Sequence, residues 1–320
     1  ATAKLWDSCF IDEGQLIKQI NSNYFDKDAY SSQVKKAFLD EYNGAKNLEL
    51  PSSYKFRDLK GVFREPKLMQ KLVAFRLKRD RRLLNLSGTG TGKTLSAILS
   101  AQVCKANRIF ITCPNGVVES WKTALNSAFP DAVLHLKPNN WEIKLVEEKT
   151  NVVIVNHERF QDRFSEELLK FCLDFRSDMF VIDEIHQSKS RKENISSQRR
   201  GLIKEFIRIS ANLNHEIKVL GLSATPVINN LYEGRSLIEL VTQKILGDVN
   251  DEDINSCMNL YQHFVINSIR MNPGNLSRTK IITKKINASN LVKEVVEINN
   301  SQKLVKYHDL ERLFVKPKLE

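Results

Sequence analysis

Short hydrophobic runs alternate with longer stretches of helical periodicity through the middle of the chain. The runs are four or five residues long, and each is followed by a polar or glycine-bearing segment: residues 83–86, 109–112, 152–156, 179–182 and 219–222. Continuous apolar runs of this length are typical of strands buried on both faces of a parallel sheet. Residues 95–106 carry apolar side chains at helical spacing and predict a helix packed on that sheet. The pattern therefore predicts an α/β fold, with a parallel sheet flanked by helices.

The two ends of the chain differ from its middle in their pattern of apolar and polar residues. Residues 1–55 are polar and irregularly helical, which predicts an N-terminal, mostly helical accessory region. Residues 56–262 contain the alternation and predict one α/β domain. From about Val241 the periodicity weakens, and the alternating segments 280–286 and 291–298 predict strands or extended connections. We assign residues 263–320 to a C-terminal connector.

Amino-acid composition says more about where the protein is expected to be found than about its function. Lys and Arg outnumber Asp and Glu by 49 to 38, and the net charge of +11 weakly favours a polyanionic partner. The apolar runs are shorter than the roughly 18 to 20 residues of a membrane helix, so we expect no membrane partner. The five cysteines are scattered and odd in number, which predicts reduced thiols. We expect a cytoplasmic protein if the source is bacterial, and a nuclear or virion protein if it is eukaryotic or viral.

A glycine-rich octapeptide follows the first apolar run and opens the predicted helix. Its residues are Ser87, Gly88, Thr89, Gly90, Thr91, Gly92, Lys93 and Thr94. The glycines allow successive backbone N–H groups to converge on a phosphate, assisted by the helix N-terminus. Lys93 is expected to reach the β- and γ-phosphates of ATP, and the Thr94 hydroxyl to ligate Mg²⁺. The octapeptide therefore predicts a Mg-ATP site; a glycine-rich turn without a ligand is the alternative.

Two adjacent acids follow the fourth apolar run. Asp183 and Glu184 begin the tetrapeptide Asp-Glu-Ile-His, which His186 completes. Asp183 is expected to hold Mg²⁺ through its water shell, and Glu184 to orient and deprotonate the attacking water. Because the tetrapeptide follows a phosphate-loop lysine, we predict that Lys93, Asp183, Glu184 and His186 are catalytic residues.

The fifth apolar run leads into Ser223, Ala224 and Thr225. The hydroxyls of Ser223 and Thr225 are suited to hydrogen-bond the Asp183–His186 loop and to report the state of the nucleotide to the rest of the molecule. We predict a coupling role for these three residues, with a plain Ser/Thr turn as the alternative.

With these motifs in order, the chain resembles superfamily II helicases and translocases, and in detail the Swi/Snf-related branch. The finer match rests on six stretches. Residues 111–122 contain Cys-Pro and a tryptophan, and residues 223–230 read Ser-Ala-Thr-Pro-Val-Ile-Asn-Asn. The others are residues 152–160 and 183–191 and, farther on, residues 264–270 and 279–298, which are similar to the arginine-bearing helix and connector that lead into the second lobe. Two departures loosen the assignment within the branch. The phosphate loop reads Gly-Thr-Gly where remodellers usually carry Gly-Leu-Gly, and Ser223 stands where many members have Thr.

The resemblance implies a RecA-like first motor lobe that binds ATP and Mg²⁺. It also implies that Gln70 reads adenine, although a glutamine on a helix surface is an equal alternative. The family's second RecA-like lobe supplies an arginine finger and half of the nucleic-acid track, and no such lobe is found up to residue 320. We therefore expect a monomeric fragment that binds nucleotide better than it hydrolyses it.

Loops at the carboxyl edge of the sheet can line one track beside the nucleotide, and their backbone and polar groups suit phosphates. We predict that this track binds duplex DNA weakly and without sequence preference. Its predicted contacts are Pro114, Asn156, His157, Lys189, Arg191 and Lys192. Three functions stay open: a translocase on duplex DNA, a strand-separating helicase such as a restriction or phage-defence subunit, and a nucleotide- and DNA-binding module without turnover.

Overall fold

The computed structural model describes residues 28–58, 61–138, 141–160, 166–189, 197–226, 230–250 and 253–271. Within them lies a seven-stranded sheet in which all the paired strands run parallel. The strands are β1 (Arg82–Asn85), β2 (Arg108–Cys113), β3 (Val133–Leu136), β4 (Asn151–Asn156), β5 (Met179–Ile182), β6 (Lys218–Leu222) and β7 (Ser268–Ile269). Their order across the sheet is β3-β4-β2-β5-β6-β1-β7. The predicted α/β fold and all five predicted strands are confirmed.

Helices cover both faces of the sheet. They are α1 (Ala29–Lys46), α2 (Leu68–Asp80), α3 (Lys93–Val103), α4 (Val118–Ala128), α5 (Glu166–Phe175), α6 (Gln198–Leu213), α7 (Leu231–Thr242) and α8 (Ile254–Asn267). Helices α2, α3 and α4 pack in one apolar core, and α5, α6 and α7 pack in a second core against other residues of the strands. The strands are therefore buried from both sides, which explains their continuous apolar sequences.

The second core is rich in aromatic side chains. Phe110 of β2 stacks on Phe206 of α6 with ring centroids 4.6 Å apart. Phe160, Phe171 and Phe180 surround the same ring. This cluster ties three helical or turn segments to the centre of the sheet, and so it fixes the frame from which the site loops project.

Two strands lie outside the five predicted runs. β3 has only half-buried residues, and β7 is two residues long. β7 pairs with β1 inside the stretch assigned to the connector, and Arg76 of α2 donates a hydrogen bond of 3.0 Å to the carbonyl oxygen of Ser268. The sheet therefore extends past residue 262, while the two boundaries between the three regions stay predictions.

The described part of the N-terminal region, residues 28–55, contains the helix α1 followed by turns and extended residues. The Asp28 side chain accepts a hydrogen bond from the N–H of Ser31 and caps its start. Gly44 lets α1 approach α2 closely, because a Cβ at this position would lie 2.4 Å from the Phe75 ring. The strands predicted at 280–286 and 291–298 lie outside the described residues. Among the residues that are described, no helix has the length and apolar character needed to cross a membrane.

Candidate nucleotide site

The three predicted motifs meet at the carboxyl edge of the sheet. β5, β6 and β1 are neighbours, so the loops that follow them lie side by side. The N–H of Ser223 donates a hydrogen bond of 3.1 Å to the carbonyl oxygen of Asn85, which joins the loop after β6 to the end of β1. Asp183 is held in the same way, since its N–H donates to the carbonyl oxygen of Thr112 at 2.8 Å.

The phosphate loop closes around the side chain of its own lysine. Gly90 and Gly92 have φ angles of 74° and 90°, in the region that favours glycine. Lys93 Nζ donates hydrogen bonds to the carbonyl oxygens of Ser87 and Gly88, at 3.0 and 3.1 Å. Partial burial lowers the Lys93 pKa, and the nearby carboxylates of Glu184 and Asp183 oppose this. The ammonium group thus lies inside the predicted phosphate cradle, which is where that prediction requires it.

Two residues that sequence reasoning missed hold the start of the loop. Asn85 is fully buried; its Nδ2 donates to Ser96 Oγ at 2.9 Å, and its Oδ1 accepts from the N–H of Ser87 at 3.2 Å. Ser87 Oγ accepts a hydrogen bond of 3.1 Å from the N–H of Met271, whose carbonyl oxygen accepts from Gly88 N–H at 2.9 Å. A polar residue at the end of an apolar strand was the available signal for Asn85. Met271 carried no such signal.

Gln70 lies beside the phosphate loop and not on an open helix surface. It is 4% exposed at the start of α2, and its Nε2 donates to the carbonyl oxygen of Gly92 at 3.2 Å. Its Oε1 accepts from the N–H of Lys67 at 2.8 Å. The alternative of a surface glutamine is therefore wrong, while adenine recognition stays a prediction.

The Asp183 carboxylate is held from two sides. Oδ2 accepts a hydrogen bond of 2.8 Å from the indole Nε1 of Trp121, and Oδ1 accepts one of 3.0 Å from the N–H of Glu184. Burial raises the Asp183 pKa, and the hydrogen bond from Trp121 opposes the rise. A carboxylate that is buried yet hydrogen-bonded is suited to receive a cation, whose charge favours the ionised form.

Glu184, His186 and Ser223 form a short polar chain. Glu184 adopts a left-handed backbone conformation with φ 45°, and its Oε2 lies 3.1 Å from His186 Nδ1. The same Nδ1 lies 3.0 Å from Ser223 Oγ, which also accepts from the N–H of Thr225 at 3.1 Å. The hydrogen bond with His186 lowers the Glu184 pKa, so the carboxylate stays ionised and able to accept a proton. Ser223 therefore contacts the Asp183–His186 loop as predicted, whereas Thr225 contributes through its backbone.

The position of His157 does not fit the predicted DNA contact. Its side chain is fully buried, with Nδ1 3.0 Å from Thr112 Oγ1 and Nε2 2.8 Å from the carbonyl oxygen of Asp183. Burial lowers the pKa of His157 to about 4, so the ring is neutral at physiological pH. The imidazole supports the backbone of the carboxylate loop and is not presented to a phosphate.

Lys189 is likewise unavailable to DNA. Its side chain is 8% exposed, and Nζ lies 2.9 Å from Oε2 of the fully buried Glu233. Arg191 and Lys192 lie outside the described residues. Pro114 and Asn156 are half-buried and lie at the ends of β2 and β4, at the edge of the sheet where the track was predicted. Their contact with nucleic acid stays a prediction.

The donor set fits a magnesium ion that arrives with its nucleotide. Among the described residues, no group of three His, Cys, Asp or Glu side chains could hold a metal by itself. Asp183 and the half-buried Thr94 supply oxygen donors beside Lys93, and magnesium in such sites takes its other ligands from phosphates and water. These residues would hold the ion in the Mg-ATP complex.

A parallel sheet with a phosphate loop after one strand and a carboxylate pair after its near neighbour defines a nucleotide-binding domain of the P-loop class. The chain belongs to the family described as the type III restriction enzyme, res subunit, whose model matches residues 14–228. The family match and the relatives below confirm the resemblance to superfamily II and its Swi/Snf-related branch.

Two curated relatives and one solved structure show the wider relationship. The Caenorhabditis elegans homologue of the SWI/SNF-related matrix-associated actin-dependent regulator of chromatin subfamily A-like protein 1 is 25% identical over 205 residues, covering 60% of this chain and 27% of the worm protein. Nucleoside triphosphatase I of Melanoplus sanguinipes entomopoxvirus is 38% identical over 82 residues, covering 25% of this chain and 13% of the viral protein. The Sulfolobus solfataricus SWI2/SNF2 ATPase core in complex with dsDNA matches with a TM-score of 0.51 and 14% identity, covering 84% of this chain and 58% of that structure.

The chain thus spans under a third of the two curated relatives and somewhat more than half of the solved core. At this level the chain is a helicase-like ATPase motor domain with a RecA-like fold. The predicted class of enzyme, a hydrolase that uses nucleotides, agrees with these relatives.

Proposed function

We propose that the chain is the ATP-binding motor lobe of a DNA-stimulated ATPase that translocates on duplex DNA at the expense of Mg-ATP. The observation that carries this proposal is the convergence of Lys93, Asp183 and Glu184 at one edge of the sheet. Lys93 lies within the glycine-rich loop, and both carboxylates act on its pKa. This combination of one positive and two negative groups supports a site for phosphoryl transfer.

Each residue has a separate task in hydrolysis. Lys93 exchanges the carbonyl oxygens of Ser87 and Gly88 for phosphate oxygens, while Asp183 and Thr94 hold the ion. The bound Mg²⁺ supplies positive charge to the phosphates. Glu184 orients a water molecule and accepts its proton, for which its depressed pKa keeps it ionised.

The polar chain through His186 links this chemistry to the next loop. His186 Nδ1 contacts both Glu184 Oε2 and Ser223 Oγ. A change at Glu184 on hydrolysis therefore alters the partner of Ser223, and the loop 223–225 is placed to relay it toward a second RecA-like lobe. This lobe is a proposed partner, as is duplex DNA.

Duplex DNA as substrate is supported by the fold neighbour whose structure contains dsDNA. A strand-separating helicase is the second candidate, because the family that matches the chain is described by a restriction enzyme subunit. Steady-state ATP hydrolysis with no DNA, duplex DNA and single-stranded DNA separates the candidates. Duplex stimulation supports the translocase, single-strand stimulation supports the helicase, and the absence of turnover supports a binding module.

Direct DNA binding can be measured without turnover. Half of a phosphate track predicts a dissociation constant in the non-specific range of about 10⁻⁴ to 10⁻⁶ M, which weakens as salt rises. Fluorescence anisotropy with two unrelated duplexes across a salt series tests this, with Arg191→Ala/Lys192→Ala as the variant. Lys189 is left unchanged because of its buried ion pair. Strong sequence preference, salt-independent binding or full affinity in the double variant argues against the track.

A further inference from the structure

Trp121 is placed to control the orientation of the carboxylate at the nucleotide site. It lies on α4, is 1% exposed, and its Nε1 donates a hydrogen bond of 2.8 Å to Asp183 Oδ2. An indole N–H can only donate, so its burial requires an acceptor, and a carboxylate is the strongest acceptor among side chains. The contact therefore joins two buried groups that need each other.

The backbone of Asp183 is fixed independently of this contact. Its N–H donates to the carbonyl oxygen of Thr112, and its own carbonyl oxygen lies 2.8 Å from His157 Nε2. The soft degree of freedom that remains is rotation of the carboxylate about its last side-chain torsion, which has broad energy wells. Trp121 holds Oδ2, and the N–H of Glu184 holds Oδ1, so together they restrain this rotation.

Helix α4 provides a rigid support for the indole. Its buried residues Val118, Trp121, Leu125 and Ala128 recur at helical spacing and belong to the first apolar core. The helix follows directly on a short turn at Asn115–Val117 after the end of β2. The indole ring consequently cannot move relative to the sheet unless the whole of α4 moves.

We propose that Trp121 is a positioning residue that sets the orientation of the Asp183 carboxylate toward the magnesium ion of Mg-ATP. This inference rests on the proposed function of the site as a Mg-ATP site. Trp121 touches neither phosphate nor metal in this role. Its removal is therefore expected to weaken the contribution of magnesium to nucleotide affinity and to leave the metal-free contribution of the phosphate loop intact.

The chain offers a matched control in Trp141. That indole is half-buried in the aromatic cluster, where its ring packs on Phe110, Phe160 and Phe171 on the other face of the sheet. Trp121→Phe and Trp141→Phe make the same chemical change, but only the first removes a hydrogen bond to the site. A loss of affinity caused by general destabilisation would affect binding with and without magnesium.

The test is calorimetric titration of wild type and both variants with ATP, in excess magnesium and in EDTA. Trp121→Phe should weaken binding in magnesium by about tenfold, as expected for loss of a hydrogen bond to a charged group, and leave binding in EDTA unchanged. Trp141→Phe should change neither. In an Asp183→Asn background, Trp121→Phe should have no further effect on the ratio of the two affinities.

A second measurement decides the question if Trp121→Phe does not fold. In a Trp6→Phe/Trp141→Phe protein, Trp121 is the sole tryptophan of the three in the chain. Addition of magnesium to its ATP complex should shift the emission of Trp121, and the absence of a shift overturns the inference. Wild-type ATP affinity that does not depend on magnesium overturns both this inference and the proposed Mg-ATP site. Magnesium dependence that Trp121→Phe retains in full overturns the role of Trp121 alone.

Discussion

The ammonium nitrogen of Lys189 lies 2.9 Å from Oε2 of Glu233, in the first turn of α7. The pair joins the segment that follows the Asp183–His186 loop to the helix that follows the Ser223–Thr225 loop. Arg200 of α6 adds a second contact to α7, because its side chain donates a hydrogen bond of 2.7 Å to the carbonyl oxygen of Ser236. The segments that follow two loops of the nucleotide site are therefore tied together.

The ion pair predicts a large effect on stability when one partner is removed. Lys189→Ala removes the cation that contacts the buried carboxylate of Glu233, and breaking a buried ion pair typically costs about 3 to 5 kcal/mol. Lys189→Met/Glu233→Gln removes both charges and should cost less. Urea unfolding followed by circular dichroism measures both effects. A Lys189→Ala protein of wild-type stability that has lost affinity for DNA would restore Lys189 to the predicted DNA track.

Lys93→Ala should reduce nucleotide affinity. The substitution removes a partly buried charge-assisted contact worth about 1.5 to 3 kcal/mol, so the dissociation constant for ATP should rise about tenfold or more. Calorimetric titration gives the value directly. The exposed Lys170 on α5 provides the control, since Lys170→Ala removes the same charge far from the phosphate loop. Equal ATP affinity in wild type and Lys93→Ala would refute the assigned role.

In the full-length protein, Glu184→Gln should separate binding from turnover. The amide keeps the size of the side chain but cannot accept a proton from water, so hydrolysis should fall by about two orders of magnitude or more while ATP binding persists. The measurement is DNA-stimulated phosphate release together with ATP titration, and Glu166→Gln on α5 is the matched control. Turnover at the wild-type rate in Glu184→Gln would place the general base elsewhere.

His157 predicts a loss of stability in acid. Its pKa is about 4 in the folded protein, below the ordinary value of 6.5, so the unfolded chain takes up the proton first. Its contribution is complete above pH 6.5 and declines as the pH falls toward 4, by up to about 3 kcal/mol. Urea unfolding at neutral pH and near pH 4.5 measures the decline. His157→Gln should flatten this dependence, and an identical slope in both proteins would contradict the assignment.

The strands that sequence predicted are those buried on both faces. In β1, β2, β4, β5 and β6, burial on both faces leaves a short and nearly continuous apolar run, and the polar or glycine-bearing segment after each run favours a strand. β3 fails this test because it is only half-buried and includes His135. β7 has two residues, too few to give any periodicity. The sequence therefore missed the two strands that have no continuous apolar run of their own.

The same distinction applies to the site. The phosphate loop and the carboxylate pair are each formed by residues that are consecutive in sequence, because the chemistry of each requires adjacent groups. The sequence pattern therefore reveals both motifs. Trp121 and Asp183 are 62 positions apart, and only the packing of α4 brings them together. Lys189 was predicted to contact DNA, since nothing in the sequence marks Glu233 as its buried partner.

The pairing of Ser87 and Gly88 with Met271 has a mechanical consequence. The N–H groups of Leu86 and Gly88 donate hydrogen bonds to the carbonyl oxygens of Ile269 and Met271, and the N–H of Met271 donates to Ser87 Oγ. These bonds attach the phosphate loop to the strand β7 and its continuation. The two segments run in parallel, so tension along the chain beyond Met271 loads these bonds together in shear and not one after another. Tension on the chain beyond Met271 would therefore act directly on the phosphate loop.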